Sequence, residues 1–340
     1  MSLKSLVNLI SKTEVTNQLI NRIEKKREFN FIGSSRYAKS IIIESIATSE
    51  KKDLLLICPN NEIAFKWIGY FESIENTKVF YYPPNEYLPY EERSKSSEVE
   101  YSQLNTINQL INKKNERKII ITTERALQPH LLDKELYVTN NLVLKKGQII
   151  EIKNLVTKFS ELGYEKENIT SYEGKWSRRG DIVDIYPVNN ESPVRIEFFD
   201  NVIDKIREYD PFNQKTLDTI NEIGITKTGS YETILNKLKK LSESNNFEDE
   251  SLKRKNLDRY LGLVENNLSN IISFIKKDTI LILDEPANCK RFTSSWFDAS
   301  QINYENNKQE INQILRENEI HHEIKPNLHN ESDQIYDQLK

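Results

Sequence analysis

The sequence has few of the residues that build metal centres or disulfide frameworks. Its 340 residues include only two cysteines, Cys58 and Cys289, which lie far apart and in unlike surroundings. Neither has the short spacing to a second ligand that metal sites require. We therefore expect no metal centre, and a reduced, cytoplasmic protein.

Long apolar runs are also missing. No stretch reaches the roughly 18 continuous apolar residues that a membrane-spanning helix needs. Residues 1–10 lack the apolar core of a signal peptide, so we expect neither a signal peptide nor contact with a membrane. The sequence shows no internal repeat and no Ser/His/Asp arrangement of the kind used in nucleophilic catalysis.

Charge is balanced along the chain. The 52 acidic and 48 basic side chains give a net charge of −4, so no global field recruits nucleic acid, and any DNA contact must come from a local patch. Charged residues make up 29% and hydrophobic residues 37% of the sequence, which is typical of a soluble globular protein. The length suits two or three domains.

The first 137 residues alternate between strand and helix patterns. Continuous apolar runs at 53–58 and 118–123 are typical of strands buried on both faces of a parallel sheet. Residues 61–72 have the apolar spacing of a helix. The predicted inner side of this helix consists of Ala64, Phe65, Ile68 and Phe71. The alternation predicts a layered α/β domain with a mostly parallel sheet.

A different pattern lies between residues 174 and 211. Strand-forming runs at 181–186, 194–199 and 202–209 are separated by turn residues, which predicts an antiparallel meander. We expect a small α+β domain around it, inserted into the α/β domain.

The α/β pattern resumes after the meander. It comprises a strand at 222–226, a helix at 231–241, a long helical stretch at 252–277 and a strand at 279–285. The predicted parts of the chain are 1–137 and 215–300 for the α/β domain, 138–214 for the insert, and 301–340 for a polar C-terminal segment.

Alternation within residues 194–199 separates a core face from an outer face. The predicted core face consists of Val194, Ile196 and Phe198. Arg195 and Phe199 fall on the outer face, and Arg179 enters the first strand just before Gly180. Arginine beside an exposed aromatic is the composition of a binding hot spot. The alternative is a solvated, charged face with one exposed phenylalanine, and the pattern alone favours that alternative.

Residues 33–40, GSSRYAKS, resemble a phosphate-binding P-loop. A strand predicted at 28–32 and a helix predicted at 41–48 flank them, as in loops that bind phosphate through backbone N–H groups at a helix N-terminus. Ala38 stands where the pattern needs glycine, and its Cβ resists the required backbone geometry. We therefore interpret the run as a degenerate nucleotide site that retains Gly33, Lys39 and Ser40.

The strand at 279–285 ends in two carboxylates, Asp284 and Glu285. Their place resembles that of the Asp-Glu pair that holds Mg²⁺ in helicases, and we assign them to the same degenerate site. The alternative is a strand end with two solvated acids.

Three linked blocks at 179–187, 195–200 and 206–211 resemble the UvrB-homology module. That module occurs in the excision-repair helicase UvrB and in transcription-repair coupling factors. Residues 214–217 (QKTL) and the aromatic, proline-rich run at 82–90 resemble the coupling factors more than UvrB. The resemblance spans most of the chain.

The resemblance implies a helicase-like α/β domain that carries an inserted domain. In this family the insert recruits UvrA, and the family's contact residues correspond to Arg179, Arg195 and Phe199 here. The family module has lost its nucleotide site, so we expect no catalysis and no cofactor in this chain. The motor that uses ATP and Mg²⁺, moves on double-stranded DNA and displaces stalled RNA polymerase lies elsewhere in the family protein. The chain thus resembles a fragment of it.

Two other functions remain open at this stage. One is a fragment of a UvrB-like excision-repair helicase, which would need an intact P-loop; Ala38 counts against it. The other is a regulatory module that still binds nucleotide through Lys39 and Ser40.

Overall fold

The computed structural model describes residues 2–26, 30–74, 77–93, 96–111, 116–138, 142–243, 257–265, 269–325 and 332–339. The helices are α1 (Leu3–Ile10), α2 (Glu14–Lys26), α3 (Arg36–Glu50), α4 (Asn61–Glu72), α5 (Ser97–Ile111), α6 (Glu124–Leu127), α7 (Lys134–Val138), α8 (Ile152–Glu161), α9 (Tyr231–Leu241), α10 (Leu261–Val264), α11 (Pro286–Glu317) and α12 (Ser332–Leu339). The strands are β1 (Leu54–Cys58), β2 (Val79–Tyr82), β3 (Ile119–Thr123), β4 (Leu142–Lys145), β5 (Glu165–Lys166), β6 (Lys175–Arg179), β7 (Ile182–Ile185), β8 (Val194–Phe199), β9 (Val202–Tyr209), β10 (Thr216–Ile220), β11 (Glu222–Ile225) and β12 (Ile280–Leu283).

A four-stranded parallel sheet forms the centre of the α/β part, in the order β12-β1-β3-β2. Strands β1 and β3 are buried along their whole length because helices and loops cover both faces. Leu54 and Leu56 pack into the cluster on one face, and Leu55 and Ile57 into the cluster on the other. The predicted mixed α/β fold with a mostly parallel sheet is confirmed. Strand β12 lies at the sheet edge and is only half-buried.

Helix α4 has the predicted bounds but not the predicted inner side. Trp67 is 1% exposed and Phe71 is completely buried, whereas the ring of Phe65 is 57% exposed and lies beside Tyr81. The prediction for Phe65 is therefore wrong. A helix that lies over a sheet turns only one stripe of side chains inward. Trp67 lies on that stripe and Phe65 does not.

The insert is built on a six-stranded sheet in the order β10-β9-β8-β7-β6-β5. Helix α8 covers one face of this sheet through Leu155 and Phe159, both completely buried. Residues 175–179 form a strand of their own, β6, which pairs antiparallel with β7. Gly180, at φ 63°, makes the turn between β6 and β7, a conformation that glycine adopts without strain.

Strands β10 and β11 continue the insert beyond residue 214. Strand β10 pairs with β9, and β11 pairs with β4 in a separate two-stranded sheet. Ile223 and Ile225 pack into the same core as α8. The predicted strand at 222–226 therefore belongs to this core and not to the resumed α/β part. We propose a domain boundary near residue 226 in place of 214.

The prediction of a long helix at 252–277 is wrong. The described residues there form two 3₁₀ turns, Leu257–Tyr260 and Ile271–Phe274, with the short helix α10 between them. The first turn and α10 pack into the cluster with α9, and the second turn packs against the parallel sheet. Two separate cores thus take the apolar residues that the sequence spaces like one helix. Residues 251–256 and 266–268 lie outside the described part.

Two other predicted elements differ. Residues 30–32 form no strand before the P-loop-like run, and residues 28 and 29 lie outside the described part. Helix α11 begins at Pro286 and ends at Glu317, so it extends well into the predicted polar C-terminal segment at 301–340. Within the described residues, no helix is long and apolar enough to cross a membrane.

Candidate functional site

The strand register places Arg179, Arg195 and Phe199 on one face of the six-stranded sheet. Ile196, which pairs with Val183 and Ile206, points into the core, so its neighbour Arg195 lies on the opposite face. Arg179 pairs with Ile182, which in turn pairs with Glu197 two residues after Arg195. The face opposite α8 is called the outer face below.

Arg195 is held in place at the centre of the outer face. Its Nε and Nη2 atoms donate to the two carboxylate oxygens of Asp184, each at 2.8 Å, and Nη2 also donates to Oε1 of Gln214 at 2.8 Å. The guanidinium lies 4.6 Å above the ring centroid of Tyr209. The hydrogen bonds that Arg195 donates to Asp184 raise the pKa of Arg195 above its ordinary value. Arg195 is thus a fixed part of the sheet surface.

Arg179 and Phe199 have a different character. The guanidinium of Arg179 is exposed and makes no hydrogen bond or ion pair within the described residues. The ring of Phe199 is 75% exposed at the end of β8, before the turn that Asp200 makes at φ 54°. Neither side chain contributes to the core, so both can contact a partner without disturbing the fold.

The rest of the outer face pairs opposite charges. Glu197 lies opposite Lys205 in the register and accepts a hydrogen bond from Arg207 on β9. This arrangement leaves an exposed arginine and an exposed aromatic ring on a rigid, charge-balanced surface. Such a surface can bind a carboxylate and an apolar group of a partner at the same time.

The P-loop-like run lies in the α/β part of the molecule, and the side chains of Lys39 and Ser40 already have contacts there. Helix α3 begins at Arg36, where Ser35 caps it, so Lys39 and Ser40 stand within its first two turns. The Ser40 hydroxyl is completely buried and donates to the Tyr37 carbonyl at 2.7 Å. Lys39 Nζ lies 5.9 Å from the ring centroid of Phe31. Gly33 has a φ of 86° in an open turn.

Arg36 occupies the place next to the two acids. Its Nε donates to Asp284 Oδ2 at 2.6 Å, and its Nη2 donates to Glu285. The same Asp284 oxygen accepts the indole N–H of Trp67 at 2.8 Å. Burial acts to lower the pKa of Arg36, but the two carboxylates outweigh it and raise that pKa.

This arrangement does not fit a magnesium–nucleotide complex. The acids that would hold Mg²⁺ neutralise Arg36, and the hydroxyl that would reach the metal is buried against its own helix. Among the described residues, no group of three or more His, Cys, Asp or Glu side chains could hold a metal ion. His321 and His322 are exposed in the polar C-terminal segment.

The comparisons with known proteins agree with the fold. Residues 142–231 match the family described as UvrB interaction domain. The chain is 28% identical over 311 residues to the transcription-repair-coupling factor of Bacillus subtilis (strain 168), which covers 83% of this chain and 26% of the relative. It is 28% identical over 281 residues to that of Staphylococcus haemolyticus (strain JCSC1435), covering 74% of this chain and 24% of the relative.

The resemblance to the transcription-repair coupling factors is confirmed. The chain spans about a quarter of the length of the curated relatives it matches. The match to the UvrB interaction domain begins at the first residue of β4 and ends at the first residue of α9. The insert that carries the outer face is therefore the part of the chain that matches the UvrB interaction domain.

Several residues of these sites are missing from the sequence predictions. Asp184 was detectable, because alternation along β7 puts it on the outer face opposite Arg195, where opposite charges pair well. Gln214 and Trp67 gave no such signal, since both act through contacts between distant elements.

Proposed function

We propose that this chain is the N-terminal, UvrB-like module of a transcription-repair coupling factor and that the outer face of its insert recruits UvrA. The observation that carries the proposal is that the family match and the three candidate contact residues fall on the same unit of the chain. The residues that match the UvrB interaction domain are those of the insert, and the outer face of its sheet carries Arg179, Arg195 and Phe199 together.

The outer face suits a protein partner better than nucleic acid. Glu197 and Asp184 balance the arginines of the sheet, so the face offers no continuous basic stripe for a phosphate backbone. Its exposed cation and ring are the side-chain types that dominate binding energy at protein interfaces.

The proposal also covers the roles that we assign to a whole coupling factor and not to this chain. We propose that ATP- and Mg²⁺-dependent movement on double-stranded DNA and the contact with RNA polymerase belong to a longer protein in the cytoplasm. For this chain we propose neither catalysis nor nucleotide binding, because Arg36 occupies the acids of the degenerate site. Titration with a non-hydrolysable ATP analogue tests this, and saturable binding that Lys39→Ala abolishes would overturn it.

The partner is tested by measuring the affinity of the chain for UvrA. We expect Arg179→Ala and Phe199→Ala each to cost about 2 kcal/mol, or roughly a thirtyfold loss of affinity, as hot-spot residues do. Both side chains are exposed, so the melting temperatures should stay close to that of the wild type.

The matched control is Lys158→Ala. Lys158 is exposed on α8, which covers the opposite face of the same sheet. We expect this variant to bind UvrA as the wild type does. If Lys158→Ala weakens binding while Arg179→Ala and Phe199→Ala do not, the outer face is not the binding surface. If the wild-type chain does not bind UvrA, the proposed function is wrong.

A further inference from the structure

The loop between β9 and β10 presents the most exposed large apolar side chain in the described part of the chain. The ring of Phe212 is 94% exposed. It buries almost nothing, so the stability of the fold does not explain an aromatic residue here. Aromatic side chains are enriched at protein interfaces, so an exposed ring that the core does not need is a candidate contact for a partner.

Hydrogen bonds within this loop order its backbone. Asp210 Oδ1 accepts the backbone N–H of Phe212 at 2.8 Å and that of Asn213 at 3.2 Å. The backbone N–H of Asp210 donates to the Lys215 carbonyl at 2.9 Å, and that of Gln214 donates to the Asp210 carbonyl at 2.8 Å. These bonds close the loop on itself and fix the direction in which Phe212 leaves it.

A side-chain relay connects the loop to the outer face. Asp184 holds Arg195, Arg195 donates to Gln214 Oε1 at 2.8 Å, and Gln214 Nε2 donates to the Pro211 carbonyl at 3.0 Å. Gln214 stands at φ 62°, so it also makes the sharp turn that returns the chain to β10. Arg195 is thereby linked through two hydrogen bonds to the residue that precedes Phe212.

Preorganisation explains why such a loop suits binding. A loop whose backbone is already ordered loses little backbone freedom when a partner covers it, so more of the interaction appears as affinity. Aromatic side chains on ordered loops supply large contact area at low entropic cost.

We propose that Phe212 is a second aromatic anchor for the protein that binds the outer face, and that Arg195 is a positioning residue for it. The inference rests on the proposed function, in which that protein is UvrA. Arg195 and Phe199 are four positions apart on β8, roughly 13 Å, and the loop lies beyond Arg195 at the other end of the sheet. An interface of about 800 Å² per partner can cover both rings.

The experiment measures the affinity of the full chain for UvrA beside its melting temperature. We expect Phe212→Ala to weaken binding about thirtyfold at an unchanged melting temperature, and Phe212→Tyr, which keeps the ring, to bind within about threefold of the wild type. The matched control is Phe65→Ala, which removes an exposed ring on α4 outside the insert and should leave affinity unchanged.

Gln214→Ala separates a positioning role from direct contact. We expect it to weaken binding about fivefold in the wild-type background and to add almost nothing to Phe212→Ala, because both changes remove the same anchor. Losses that multiply in the double variant would mean that Gln214 acts independently of Phe212, which would overturn the relay.

The outcomes separate the inference from the function on which it rests. If Phe212→Ala binds normally while Arg179→Ala and Phe199→Ala bind poorly, the outer face stands and the anchor is wrong. If Phe212→Ala and Phe65→Ala weaken binding equally, the effect is not specific to the loop and the inference is also wrong. If the wild-type chain does not bind UvrA, the proposed function is wrong, and the inference that rests on it is wrong as well.

Discussion

Arg36 and Asp284 are 248 positions apart in the sequence, yet the Arg36 Nε lies 2.6 Å from Asp284 Oδ2. The first residue of α3 is thereby attached to the end of β12, the last strand of the parallel sheet. The bond joins the two halves of the α/β part, which the insert separates in sequence. The P-loop-like run and the two acids are thus joined by a structural contact.

Arg36→Ala is therefore expected to destabilise the chain. The change removes the cation from Asp284, whose side chain is only 8% exposed and keeps only the Trp67 indole among the donors described above. Removing a hydrogen bond to a charged group of this kind costs about 2 kcal/mol. Urea unfolding measures the loss of free energy. Arg291→Ala, an exposed arginine on α11, is the control and should change stability by less than about 0.5 kcal/mol.

The contribution of Glu285 depends on pH. The hydrogen bond from Asn288, at 2.6 Å, and the contact with Arg36 lower the pKa of Glu285 in the folded state. As pH falls, the unfolded chain takes up this proton before the folded chain does, so the stabilisation is present above the ordinary Glu value and is lost below it.

We therefore expect the difference in melting temperature between the wild-type chain and Glu285→Gln to shrink as pH falls below 4.5, the ordinary pKa of a Glu side chain. Melting curves recorded from pH 7 to pH 3.5 measure this. Asn288→Ala removes the main donor and should shift the same window upward. A difference that stays constant with pH would contradict the assignment of the pKa.

The three outer-face residues should differ in their effect on stability. None of the three belongs to the predicted core face of Val194, Ile196 and Phe198, so the sequence alone predicts that the fold survives the loss of any of them. The structure changes this prediction for Arg195, because Arg195→Ala leaves the Asp184 carboxylate, only 14% exposed, without its bidentate partner. We expect a loss of about 2 to 3 kcal/mol for this variant. Arg179→Ala and Phe199→Ala should each change stability by less than about 0.5 kcal/mol.

Urea unfolding of the three variants tests that division. Arg195→Lys keeps the charge but not the bidentate geometry, so it should fall between Arg195→Ala and the wild type. If Arg195→Ala unfolds at the wild-type urea concentration, the pair with Asp184 does not stabilise the sheet.

The extent of the insert can be tested by excision. A segment of residues 138–226 includes β10 and β11 with the buried side chains of Ile223 and Ile225, whereas residues 138–214 lack them. We expect the longer segment to give dispersed amide signals and a cooperative melt. The shorter one should be much less stable, since losing a buried Ile costs about 2 kcal/mol or more. Equal stability of the two segments would restore the boundary at 214.

Features that depend on neighbouring residues, such as the faces and burial of single strands, could be predicted from local sequence patterns. Alternation in 194–199 correctly separated Ile196 from Arg195, because the two-residue period of a strand depends on immediate neighbours. The apolar runs of β1 and β3 were recognisable because strands buried on both faces have no polar side.

The features that the sequence did not predict depend on contacts between residues that are distant in the chain. No local pattern brings Arg36 to Asp284 or Arg195 to Gln214, since each bond depends on how separate elements pack. Residues 257–274 mislead for the same reason: their apolar spacing is helical, but Leu261 and Phe274 are drawn into different cores. Tertiary packing there overrides the local preference.

The strands β4 and β11, where the chain enters and leaves the insert, are paired side by side. Leu142 lies opposite Ile225, and Lys145 lies opposite Glu222 with their charged groups 3.0 Å apart. Because antiparallel partners are only about 5 Å apart at Cα, the path into the insert and the path out of it begin at nearly the same point. During evolution the whole unit could be lost, or replaced by another with neighbouring ends, without rerouting the chain through the parallel sheet. The insert and its outer face can in this way change while the parallel sheet is retained.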